Sequence, residues 1–249
     1  MPDRVRPFFE HLEELRQRLI KSILAVVLAA SGCYYLSDPV IRFLARSGGG
    51  FVFLRPTEAI FTRIKIALAL GVLVSLPVVL YQAWMFVTDA LAPGSRRSLF
   101  WAIPVSYLLF ITGSAFGFFW LVPVGSRYLL AMGNESLKPM MSIEYFVEFT
   151  GAMCLALGVI FQMPVVAFFL SRFGILSPGW LAGNRRIAIV ATYIVCALAT
   201  PGPDPVTALM LFVPAYLLFE ISILAARLAV PRPDKGGRGQ TVTARGRYP

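Results

Sequence analysis

The 249 residues predict an all-α integral membrane protein of six transmembrane helices, and three observations carry that fold class. Hydrophobic residues make up 57% of the chain and charged ones only 14%, against about a quarter charged in a soluble domain; mean hydropathy is +0.72. The apolar residues gather into runs close to the ~20 needed to cross a hydrocarbon core. The 23 Lys and Arg, which set the formal net charge at +10, flank those runs. Membrane lipids are therefore the expected partners of the basic residues, and nucleic acid is not.

Residues 1–18 form a charged N-terminal segment. Phe8, Leu12, Leu15 and Leu19 fall at i, i+4, i+7 and i+11, one stripe of a helix, while Glu10, Glu14 and Arg18 make a polar row. Such a helix is expected to lie in the membrane interface. Residues 19–226 hold the six spans. The first, 19–36, ends at Ser37-Asp38-Pro39, and a mixed loop is expected over 37–60. The second covers about 61–86 around Pro77, and a polar turn over 88–97 leads to the third, about 99–122 around Pro104. A loop follows over 123–145, then the fourth span, about 146–170, with Gln162 and Pro164 in its later half. After a polar link the fifth span, 187–199, is short and is expected to thin the bilayer or to tilt. The sixth runs over 206–226 with Pro214 inside it, and residues 227–249 read as a disordered basic tail.

Six spans put both termini on one side, which also holds sixteen of the 23 Lys and Arg. That bias predicts cytoplasmic termini. Cys33, Cys154 and Cys196 each sit in an apolar run without metal-ligand spacing, and His11 is the single histidine. No metal, cofactor or catalytic constellation is expected from these residue types, nor is any nucleotide-binding motif present.

Five patches, in order, resemble one family. His11-Leu12-x-Glu14-Leu15-Arg16-x-Arg18-Leu19 is similar to the N-terminal signature of the TatC family, the multispanning receptor subunit of the twin-arginine protein translocase. Gln82-x-Trp84-x-Phe86, followed by Ala90-Leu91 and Arg96-Arg97, resembles the end of its second helix and its first cytoplasmic loop. Gly158-x-x-Phe161-Gln162-Met163-Pro164 resembles its fourth-helix motif, and Arg185-Arg186-Ile187-Ala188 the start of its fifth helix. Thr200-Pro201-x-x-Asp204-Pro205, then Pro214 and Phe219-Glu220, resembles its last outer turn and sixth helix.

The resemblance implies a cupped six-helix bundle that is a receptor and not an enzyme, working with TatA- and TatB-type single-span partners in a homo-oligomeric complex. It would export folded precursors across the prokaryotic cytoplasmic membrane on the proton-motive force. The signal peptide would be read by Glu14, with Leu12, Arg16, Arg18, Phe86, Ser95 and Arg96 around it. Gln162, Asp204, Thr207 and Glu220 would be the intramembrane polar positions facing partner helices. Two positions depart from the family pattern. Ser95 stands where a loop glutamate is usual, and Gln162 where the fourth helix usually carries glutamate. The amide at 162 cannot titrate, which excludes a proton relay there, and the two-carboxylate reading of the signal arginines does not carry over whole. The rival reading is a secondary transporter for a small solute, which would show inverted repeats and midplane ionisable groups; no internal repeat is visible.

Overall fold

α1 (Arg6–Cys33) is one unbroken helix of 28 residues, so the amphipathic segment and the first span form a single rod and not two differently oriented pieces. The computed structural model describes residues 6–48, 51–52, 55–91, 96–132, 141–200 and 204–229, with side chains described from Leu12 onward except at 45–48, 89–91 and 96–100. Ser95 and the tail beyond Ala229 lie outside the described residues, and of Arg96 only the backbone is described.

A short 3₁₀ turn, Tyr34–Leu36, leads into α2 (Ser37–Gly48), where the sequence reading expects a loop. The reason lies in Ser37-Asp38-Pro39, which reads as a stop. Proline close to a helix start and an acidic first turn equally begin a helix. Leu44 is buried, and Val40 and Ile41 pack with it against Ile66, Ile143 and Val147.

α3 (Glu58–Leu91) lies antiparallel to α1 and in close contact along it. A Cβ on Gly71 would fall 2.6 Å from the Ala30 backbone, the small-residue approach by which membrane helices gain contact without a hydrophobic driving force. α4 (Arg96–Phe116) continues through a π turn, Gly117–Leu121, into α5 (Val122–Ala131). The third span therefore extends nine residues past the expected end at 122. Pro123 falls in the first turn of α5, and the wider turn before it takes up the missing N–H that would otherwise break the helix.

α6 (Ile143–Ile160) and α7 (Met163–Arg172) make up the fourth span, broken at Phe161-Gln162. Pro164 has no N–H to give Ile160, so the chain tightens there: Gln162 N donates to Val159 O at 2.9 Å. α7 ends at Gly174, whose φ of +76° lets Ile175 N reach Leu170 O at 3.0 Å and Gly174 N reach Ser171 O at 3.1 Å. The link that follows contains α8 (Pro178–Gly183), capped by Ser177 Oγ accepting from Trp180 N at 3.1 Å. α9 (Arg185–Ala199) and α10 (Pro205–Ala229) complete the described residues.

Among the described residues five stretches are long and apolar enough to cross a membrane: Leu12–Leu44, Glu58–Thr88, Trp101–Ala131, Ile143–Arg172 and Pro205–Ala229. α9, at 15 residues, is the short fifth span and brings the set to six, and no strand occurs among the described residues. The core centres on α6, where Phe149, Met153, Leu157 and Ile160 meet Leu121, Cys196, Leu211 and Ala215. A second cluster joins α3, α4 and α7 through Leu80, Trp84, Ala102, Phe110, Val165 and Phe169. Leu19, Ile23, Leu24 and Leu28 of α1 stay exposed, as an outward apolar face in lipid requires.

Candidate functional site

Glu14 lies on α1 and accepts from Arg18 Nε at 2.9 Å, the i, i+4 pair expected from their spacing. The Arg18 side chain is 16% accessible and that of Glu14 34%, so this carboxylate is half-sheltered. By contrast Arg16 and Glu13 meet at 3.5 Å with side chains 71% and 54% accessible. Leu12 and Leu15 are exposed beside them. Ala30 and Gly71 fix the register of α1 on α3, and going back along α1 to Glu14 matches going forward along α3 to Val87. Glu14 and the half-buried Phe86 are thus at one level and one end of the bundle. The backbone of Arg96, first residue of α4, follows at that end.

Trp84 anchors this end. Its ring is buried 4.8 Å from that of Phe169, and its Nε1 donates to Ser106 Oγ at 2.9 Å. Gln162 Nε2 donates to Ser106 O at 2.8 Å. One serine therefore ties α3 and α4 to the break between α6 and α7, and the amide at 162 is spent on an interhelical bond.

Glu220 on α10 is gripped by Arg185 at the start of α9: Arg185 Nε to Oε1 and Nη2 to Oε2 are both 3.0 Å. Tyr216 OH adds a donation to Oε1 at 3.1 Å. This two-pronged pair fixes the short α9 to α10. Asp204 stands at the opposite end of α10 as its cap. It accepts from Val206 N at 3.2 Å, from Thr207 N at 3.0 Å and from the Thr207 hydroxyl. The hydroxyl, with those two backbone donors, holds the Asp204 carboxyl below the usual carboxylate range against the opposing effect of partial burial. Thr207 is only 1% exposed, so its side chain points into the bundle.

The six expected signal-side residues that are described in whole or part thus fall toward one end, Asp204 and Thr207 toward the other, and Gln162 between. Some charged contacts are not legible as pairs in the sequence, among them one that joins two spans. Lys65 Nζ donates to Glu144 Oε1 at 2.8 Å and to Glu148 Oε2 at 2.6 Å, joining α3 to α6 near the Asp204 end. The signal was present: Glu144 and Glu148 are four apart on one helix face, and Lys65 lies inside an apolar run. Among the described residues no three His, Cys, Asp or Glu gather into a metal-binding group.

The family model for Sec-independent protein translocase protein (TatC) matches residues 10–214. The Sec-independent protein translocase protein TatC of Carboxydothermus hydrogenoformans is 34% identical over 242 residues, covering 96% of this chain and 100% of its own length. That of Aquifex aeolicus is 34% identical over 233 residues, covering 90% and 95%. A crystal structure of the twin arginine translocase receptor TatC superposes with a TM-score of 0.78 at 33% identity, over 88% of this chain and 99% of that one. With its apolar helices and these relatives, the chain is a multi-pass membrane protein that belongs to the TatC family of Sec-independent protein translocase proteins.

Proposed function

We propose that this chain is the receptor and core subunit of twin-arginine translocation. It binds the twin-arginine signal peptides of folded precursor proteins at its cytoplasmic face. With TatA- and TatB-type single-span partners, in a complex holding more than one copy of the chain, it exports those precursors across the prokaryotic cytoplasmic membrane. The observation that carries this reading is the likeness to the receptor structure over 88% of the chain. Relatives named as protein translocases along the same length do not favour the solute-transporter alternative.

The local chemistry suits the role. A half-sheltered carboxylate beside exposed leucines offers a signal arginine a charge-assisted, two-pronged contact that lysine cannot reproduce. Arg18 already holds Glu14 in place, so an incoming guanidinium meets an oriented acceptor. The excess of basic residues on the side of the termini supports cytoplasmic termini.

Vesicles carrying this chain and a TatA-type partner test the function. Under an imposed proton gradient and without ATP, a folded precursor bearing an Arg-Arg signal becomes protected from external protease. The same precursor with Lys-Lys, or with the gradient collapsed, stays accessible. Equal protection of both precursors, or protection without a gradient, contradicts the proposal.

A further inference from the structure

A groove opens between α3, α4 and α6, with a cavity volume of about 390 Å³, inside the range of ligand-sized sites. Leu68, Val72, Leu73, Phe110 and Leu155 line it, and the charged pair Lys65 and Glu148 closes one end. From Lys65 to Leu73 on α3 the groove runs about 12 Å along the helix axis. Gly151 lies on its wall, and a Cβ built there meets nothing within 4 Å. Glycine in the middle of a helix is unfavourable relative to alanine, and no neighbouring atom of the described residues requires it here. The effect of Gly151 is to leave the groove open.

The charged end is unbalanced. Two carboxylates surround one ammonium, and Glu148 remains 53% accessible. Lys65 has three N–H donors, of which two go to Glu144 and Glu148; among the described residues the third has no acceptor. The end of the groove therefore offers one donor for an anionic oxygen, with a surplus carboxylate alongside. It lies within about 10 Å of the start of α3, near the depth where headgroups meet hydrocarbon.

We propose that this groove binds one phospholipid with a primary-ammonium headgroup, of the ethanolamine type. Its acyl chain lies along Leu68, Val72 and Leu155. In a bilayer an apolar groove cannot be filled by water, so an acyl chain is its natural occupant. The headgroup phosphate takes the third Lys65 N–H, and the ammonium meets Glu148. A glycerol headgroup supplies the phosphate but no cation, and leaves the surplus carboxylate facing a like charge. A choline headgroup supplies the cation without an N–H to donate.

Native mass spectrometry of the full chain tests this, with dioleoyl phosphatidylethanolamine, phosphatidylglycerol and phosphatidylcholine competing at equal concentration. The wild type should retain the ethanolamine lipid over each of the others by at least about threefold, the scale of a partly exposed ion pair. Glu148→Gln, at an accessible position, should bring that preference close to one. Gly151→Leu should fill the groove and lower retention of all three lipids, while Gly151→Ala should keep the preference. A thermal melt in detergent checks that each variant is folded. Equal or better retention of phosphatidylglycerol by the wild type overturns the proposal. So does an unchanged preference in Glu148→Gln, or unchanged retention in Gly151→Leu.

Discussion

Asp204 shows how far a single residue's role can be traced. Between prolines it reads as part of a stiff turn, whereas in the structure it caps α10 with three accepted hydrogen bonds, from Val206 N, Thr207 N and the Thr207 hydroxyl. Those donors stabilise the ionised form, so its folded pKa lies below the unfolded value of about 3.8. A depressed carboxylate pKa contributes stability that is fully present above the unfolded value and is lost as pH falls through the folded one. Asp204→Ala should therefore destabilise the protein by about 1 kcal/mol near neutral pH, the ordinary cost of losing an N-cap. The gap to wild type should narrow below about pH 4 as the wild-type carboxyl protonates. Thermal unfolding in detergent across that pH range checks it; a gap independent of pH would mean that the charge of Asp204 contributes nothing. Glu220 was legible only in part. An acidic side chain inside an apolar span either reaches for the interface or pairs with a basic neighbour, and the choice of Arg185 follows from the contact of α9 with α10, which neither local pattern contains.

At the scale of the element, five of the spans were legible because each is a long apolar run, the short α9 because polar links bound its apolar residues, and the ends were not. Ser37-Asp38-Pro39 has the same composition whether it stops α1 or starts α2, and only burial of Leu44 against Ile66 decides. Pro123 reads as a terminator, yet the π turn ahead of it carries the helix on to Ala131. Thr207 is the sharper case. Family resemblance makes it a partner-facing position on the sixth span, whereas its side chain is directed inward. The outward surface nearby belongs to α9, where Ile187, Val190, Ile194 and Leu198 share one face and are all exposed. If the single-span partner docks on this pair of helices, cysteines at Val190 or Ile194 should cross-link to a cysteine in the partner's helix at least about tenfold more than one at Thr207. Cross-linking in membranes decides it, and efficient capture from Thr207 alone would move the docking face.

Over the whole molecule, composition, span count and the ordered motifs gave the class and the family, because those are properties of the chain itself. What they could not give is register. The contact of Ala30 with Gly71 places Glu14 level with Phe86, and Ser106 gathers Trp84 and Gln162, though nothing in either segment names the other. The Lys65 cluster was missed for the same reason, since its carboxylates come from a helix 79 and 83 residues further along the chain. The central claim, that Glu14 reads a signal arginine, is open to one direct measurement: the affinity of Arg-Arg and Lys-Lys signal peptides for the purified wild type and for Glu14→Ala. A charge-assisted contact of roughly 1.5–3 kcal/mol predicts that the wild type prefers Arg-Arg by about tenfold or more. In a correctly folded Glu14→Ala protein that preference should fall to within about twofold, because the group that distinguishes the two cations is gone. An undiminished preference for Arg-Arg in Glu14→Ala would contradict the account.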